Sequence, residues 1–197
     1  QEIPEVDAVL GTTSYGDIVK ALNEAQAGNV FQEFRDINEL PEDSGRRVLT
    51  TGGHFGYLKI AEGCDKHCTY CIIPSLRGRF RSVPEERLLA QAEYMASQGV
   101  KELILVAQET TVYGTDLYGK KTLHILLKKL CQIKGIRWIR VLYCYPEEIY
   151  DELVQVMKEE KKICNYLDLP IQHASDRILK RMGRRTTRKQ LEDIIAK

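Results

Sequence analysis

Glu102-Leu103-Ile104-Leu105-Val106-Ala107 sits between two patterns of helical period, Pro84–Gln98 before it and Thr122–Cys131 after it. A run this short and apolar, with no alternation of polar side chains, predicts a strand buried on both faces, as in a parallel sheet between helix layers. Outward from it the alternation repeats. Strand-like Tyr57–Ala61 precedes the first helix, and strand Arg137–Tyr143 follows the second; helix Pro146–Glu159, strand Tyr166–Leu169 and helices Ser175–Met182 and Thr187–Ala196 come next. Four βα units in succession predict an α/β fold with right-handed crossovers, a partial TIM-like (βα) barrel. The punctuation agrees: Pro84 with Glu85 and Glu86 suits a first turn, Gly99 suits the residue after a helix end, and Thr187 suits an N-cap.

Such sheets carry their chemistry in the loops at the carboxyl ends of the strands. Those loops are residues 62–81, 108–119, 143–146 and 170–173. The first contains Cys64-Asp65-Lys66-His67-Cys68-Thr69-Tyr70-Cys71, three thiols within eight residues. Thiolates suit iron-sulfur clusters and zinc. A structural zinc site takes four protein ligands, normally from a second Cys/His pair, and no such pair follows; His67 or His54 would have to serve. Three cysteines at this spacing reach three irons of a cubane 4Fe-4S cluster and leave the fourth open to a substrate. A zinc-stabilised nucleic-acid-binding module and a simple iron-sulfur electron carrier remain as alternatives.

The other loops add polar groups. Gln108 and Glu109 end the second strand, where a carboxylate suits an ammonium ligand; Gln172 and His173 end the fourth, placed for ribose, carboxylate or substrate. Arg77, Arg79 and Arg81 alternate, which points them one way if the segment is extended. Cys131 falls at a helix end, Cys144 at a strand end and Cys164 before a strand, spacings that suit small buried hydrophobes.

The chain has 197 residues and a formal net charge of +1, but residues 1–48 hold ten acids against four bases while the rest is basic. Residues 174–197 hold eight bases against three acids, a patch expected either to touch RNA phosphates or to be the outer face of barrel helices; the lack of interleaved aromatics favours the second. Six cysteines, acidic first residues and no long apolar run point to a reduced, cytoplasmic setting without a membrane span. Val6–Leu10 followed by a helical pattern over Tyr15–Ala27 reads as the last βα unit of an upstream domain, and residues 29–48, with Pro41 to Arg47, read as a linker.

The cysteine spacing behind the first barrel strand, with Tyr70 before the third cysteine, resembles the signature of the radical S-adenosylmethionine superfamily. The likeness extends through Ala61-Glu62-Gly63-Cys64, Ile73-Pro74-Ser75-Leu76-Arg77-Gly78, Gln108-Glu109-Thr110-Thr111-Val112-Tyr113-Gly114, Tyr143-Cys144-Tyr145-Pro146-Glu147 and Pro170-Ile171-Gln172-His173. These loops resemble the methylthiotransferases, in the branch that modifies the β-carbon of an aspartate in small-subunit ribosomal protein twelve. The transfer-RNA branch more typically shows Gln-Asn-Val-Asn after the second strand and Pro-Val-Gln-Ser-Gly after the fourth, and neither stands here; a transfer-RNA methylthiotransferase is the alternative within the resemblance.

The resemblance implies that Cys64, Cys68 and Cys71 hold one 4Fe-4S cluster whose open iron chelates S-adenosylmethionine. One-electron cleavage then gives methionine and a 5′-deoxyadenosyl radical, with Tyr70 near the adenine. It implies a ribosomal-protein substrate, possible ribosomal RNA contact and an electron donor such as flavodoxin. It also implies an upstream domain with its own cluster and a small β-rich domain downstream. On that reading, residues 1–28 are the end of the N-terminal α/β methylthiotransferase domain, residues 29–48 the linker, and residues 49–197 an incomplete barrel with four of the usual six strands. This stretch is therefore expected to lack the full reaction by itself.

Overall fold

The computed structural model describes residues 3, 5–40 and 48–197. The centre of the expected linker, Pro41 to Arg47, lies outside them. The first unit is β1 (Ala8–Leu10), a 3-10 turn at Tyr15–Asp17, α1 (Ile18–Gln26) and β2 (Phe31–Glu33). β2 pairs in parallel with β1, Ala8 opposite Phe31. The linker expected from residue 29 therefore begins with a strand, because the isolated β1 edge must satisfy its backbone groups and the nearest chain does so. The unit touches the rest through Thr12 Oγ1, which donates to the carbonyl of Leu76 at 2.9 Å, and Asn38 Oδ1, which accepts from Arg79 N at 3.0 Å.

The principal sheet follows. β3 (Phe55–Lys59) runs into β4 (Ala61–Glu62), the cysteine loop, α2 (Ile73–Arg77) and β5 (Arg81–Ser82), which pairs antiparallel with β4. Then come α3 (Glu85–Ser97), β6 (Glu102–Val106), α4 (Thr115–Tyr118), α5 (Leu123–Cys131), β7 (Trp138–Val141), α6 (Asp151–Glu159), β8 (Ile163–Leu167), α7 (Asp176–Arg181) and α8 (Arg188–Ile195). β3, β6, β7 and β8 lie side by side in chain order, all parallel. Cys164 stands inside β8, not ahead of a strand as expected.

Chain-order pairing has a consequence. Successive right-handed crossovers that never reverse direction put every helix on the same face of the sheet. Leu58, Leu103, Leu105, Ile139 and Val141 are accordingly buried against Leu88 and Met95 of α3, Leu126, Leu127 and Leu130 of α5, and Leu153 and Val156 of α6. Each such burial stabilises by roughly 1.5–3 kcal/mol before the loss of conformational entropy. The expectation of helix layers on both faces fails. Tyr57, Ile104 and Arg140 stand in one cross-strand row on the opposite face, and Tyr57 is exposed. Arg140 pairs with Glu102 at 2.7 Å and stacks on the ring of Tyr166.

Candidate metal centre

The cysteine loop leaves the carboxyl end of β4 through Gly63, whose φ is 79°. A Cβ there would overlap the carbonyls of Gly78 and Arg79, so the close return of the chain needs glycine. Gly63 N donates to Gln108 Oε1 at 2.8 Å, and Cys64 N donates to the carbonyl of Gly78 at 3.2 Å. On the far side, Thr69 N donates to the carbonyl of Met182 at 3.0 Å and Thr69 Oγ1 to that of Arg181 at 3.2 Å. The loop is therefore held between the end of β6 and the turn after α7.

Cys64 and Cys68 are buried and line a cavity of about 420 Å³ together with Lys66, Glu109, Tyr145 and Arg184, while Cys71 is exposed. Among the described residues, no three His, Cys, Asp or Glu side chains converge as a ready-made metal site. The donor set nonetheless fits a three-thiolate centre. Burial chiefly, with the neighbouring Glu109, Cys68 and Cys71 adding to it, pushes the Cys64 thiol up. A cationic centre bound to the sulfur is what reverses that rise. His54 precedes β3, at the amino end of the strand whose carboxyl end feeds the loop, and is too distant to be a fourth ligand; His67 lies in the loop itself.

Glu109 is 1 % exposed. Its Oε1 accepts from Thr111 N at 3.0 Å, from the Thr111 hydroxyl and from Tyr145 N at 3.4 Å; Oε2 is buried without a hydrogen-bond partner. Burial pushes its carboxyl up to about 7 despite those donors. An unsatisfied buried carboxylate oxygen on the cavity wall is a seat for a cation. Gln108 is spent on Gly63 and positions the loop.

The remaining expected residues are more dispersed. Tyr70 is 54 % exposed beside Cys68. Gln172 and His173 are exposed, and His173 Nδ1 accepts from Ser175 N at 2.9 Å, which fixes the approach to α7. The alternating row of Arg77, Arg79 and Arg81 does not form, because α2 intervenes: Arg77 approaches Glu62 at 3.8 Å and Arg81 turns back to the carbonyls of Arg77 and Arg79.

Several residues of the site receive no individual role from the sequence, although Tyr143 and Tyr145 stand in a stretch that carries the resemblance and Gln172 is a candidate. Tyr145 Oη lies 2.9 Å from Cys68 Sγ, and the Arg184 guanidinium stacks 3.9 Å from the Tyr145 ring centroid. Arg184 sits in the basic tail expected to face outward, yet it is 5 % exposed. Lys66 and Lys121 both pair with Glu148, whose carboxyl they hold below the usual range against the opposing effect of burial. Tyr143 and Gln172 adopt φ of 58° and 65°, left-handed backbone rarely kept by bulky side chains, at the carboxyl ends of β7 and β8.

The signature of the Radical SAM superfamily matches residues 58–197. The chain belongs to the radical SAM superfamily. Among curated proteins, it is 63% identical over 196 residues to the ribosomal protein uS12 methylthiotransferase RimO of Lachnoclostridium phytofermentans, covering 100% of this chain and 44% of that protein. The protein of the same name from Clostridium botulinum (strain Eklund 17B) is 53% identical over 196 residues, covering 99% and 44%. The chain thus spans less than half the length of these curated relatives. In fold it is similar to the radical S-adenosylmethionine methyltransferase TsrM from Kitasatospora setae, solved with cobalamin and a [4Fe-4S] cluster: TM-score 0.57, 15% identity, 72% of this chain and 28% of that one. The cobalamin-dependent radical enzyme OxsB gives TM-score 0.56, 18% identity and coverages of 71% and 21%. The radical SAM match begins inside β3 at Leu58, so the rest of the sheet, the cysteine loop and the cavity fall within it, and the β1–α1–β2 unit falls outside.

Proposed function

We propose that the protein containing this chain is a radical S-adenosylmethionine methylthiotransferase that adds a methylthio group to the β-carbon of an aspartate of small-subunit ribosomal protein uS12. The observation that carries this is the identity of 63% over the whole chain to a relative named for that activity. The three thiols at the carboxyl end of the first barrel strand support it chemically. Cys64, Cys68 and Cys71 would hold a 4Fe-4S cluster, which would supply the single electron needed to cleave the sulfonium of S-adenosylmethionine.

The chain's own residues do the rest. Glu109 Oε2 takes the ammonium of the methionine group, Gln108 holds the loop through Gly63 N, and Phe80 and Val112 give the cavity apolar wall. Tyr70 lies at the adenine, and Gln172 and His173 border the entry for substrate. Electrons come from a small carrier such as flavodoxin, ribosomal RNA contributes to docking, and the reaction runs in the cytoplasm. The upstream domain, with β1, α1 and β2 as its end, holds the second cluster. Among the described residues, no helix is long and apolar enough to cross a membrane.

The test is anaerobic incubation of the full-length protein with S-adenosylmethionine, a reductant and uS12. The expected products are 5′-deoxyadenosine and an aspartate peptide heavier by a methylthio group, both lost in Cys68→Ala. Modification of transfer RNA instead moves the protein to the other branch. A brown protein that releases no 5′-deoxyadenosine is an electron carrier, and a colourless one holding zinc removes the enzymatic reading.

A further inference from the structure

We infer that Tyr145 and Arg184 are a positioning pair that holds the thiolate of Cys68 and raises the reduction potential of the centre it ligates. This rests on the reading of Cys64, Cys68 and Cys71 as cluster ligands.

Tyr145 Oη stands 2.9 Å from Cys68 Sγ. A ligating sulfur is ionised and can only accept, so the tyrosine hydroxyl is the donor. Behind the ring lies Arg184, its side chain fully buried. Its Nη2 donates to Glu147 Oε2 and to the carbonyl of Pro170, both at 3.1 Å, which fixes the plane of the guanidinium against the ring. Its Nε and Nη1 are buried with no hydrogen-bond partner. Glu147 offsets part of the charge, but two N–H groups of a permanent cation remain unspent beside the cavity.

Both contacts act in one direction. Reduction adds negative charge that spreads onto the ligating sulfurs, and a hydrogen bond to sulfur or a buried cation stabilises that added charge more than it stabilises the oxidised state. The low dielectric of the site strengthens the effect. The fold also makes the pair a mechanical support. Gly183, next to Arg184, has φ of 74°, and a Cβ there would stand 2.8 Å from the carbonyl of His67 in the cysteine loop. The stretch that delivers Arg184 is thus the one that presses on the loop and receives the bonds of Thr69.

The experiment is redox potentiometry, monitored by electron paramagnetic resonance, on the full chain reconstituted anaerobically with iron and sulfide. Tyr145→Phe keeps the ring and its stack on Arg184 and removes only the O–H. It is expected to bind the same iron and to be about tenfold less reduced at the native midpoint, equal to a shift of about 59 mV to more negative potential for one electron. Arg184→Gln is expected to move the midpoint the same way, and Arg184→Lys to recover part of it. If burial makes Arg184→Gln unable to fold, Tyr145→Phe decides alone. Full iron with an unmoved midpoint in Tyr145→Phe overturns the inference and leaves the cluster reading standing. A native chain that takes up no iron overturns the cluster reading, and the inference with it.

Discussion

Glu109 shows how a single side chain reports its purpose. Its carboxyl is buried, one oxygen is satisfied by Thr111 and Tyr145, and the other has no partner. Burial raises its pKa from 4.5 to about 7, so the folded chain binds a proton more tightly than the unfolded one. The sign follows from linkage. The stabilising contribution is fully present below about pH 4.5 and is lost as pH rises through about 7, amounting to ~3 kcal/mol. Glu109→Gln is therefore expected to flatten the pH dependence of urea-unfolding stability between about pH 4 and 8. Equal slopes in the two proteins would refute this account of Glu109. A carboxylate kept at this cost on a cavity wall makes sense when a cationic ligand completes it, which is the role assigned to the ammonium of S-adenosylmethionine.

At the scale of elements, the turn between α7 and α8 clamps the cysteine loop. Gly183→Ala forces a Cβ to within 2.8 Å of the His67 carbonyl and places alanine in left-handed backbone. The backbone conformation alone costs about 1–2 kcal/mol. The variant is expected to fold, with a lowered thermal midpoint, and to lose reconstituted iron to a chelator several-fold faster than the native chain; equal release would show that the turn does not hold the loop. This turn also marks the limit of what the sequence discloses. The run of Leu103 to Val106 announced β6, and Thr187 as an N-cap announced α8, because both signals are local; the capping box that Gln190 completes appears in the structure. The β4–β5 pair has two residues a side and no period to detect. Arg184 looked like one more base on a charged surface, since its burial depends on meeting Tyr145 from a distant loop. The helix-free face of the sheet was missed for the same reason: apolar strands announce burial, but only the strand order decides which side the helices cover.

Across the whole molecule, the six cysteines divide into two populations by place and by chemistry. Cys64, Cys68 and Cys71 share one loop at the carboxyl end of the sheet. Cys131 closes α5 within the core, where burial pushes its thiol up to about 11; Cys144 is buried beside Thr110 Oγ1 at 3.4 Å and rises to about 12; Cys164 stands within β8. Buried in the core and outside the cysteine loop, Cys131 and Cys144 act as small hydrophobes. One centre follows from place: Cys131 is held in α5, Cys144 against Thr110 and Cys164 in β8, so the three do not share a loop. Anaerobic reconstitution is expected to give about four irons per chain. Cys131→Ala and Cys144→Ala should retain that content, with any loss of stability belonging to core packing. Replacing any one of the loop cysteines with alanine should abolish most of it. Iron and sulfide analysis of each variant checks the division, and about eight irons in the native chain would require a second set of ligands that the described residues do not bring together.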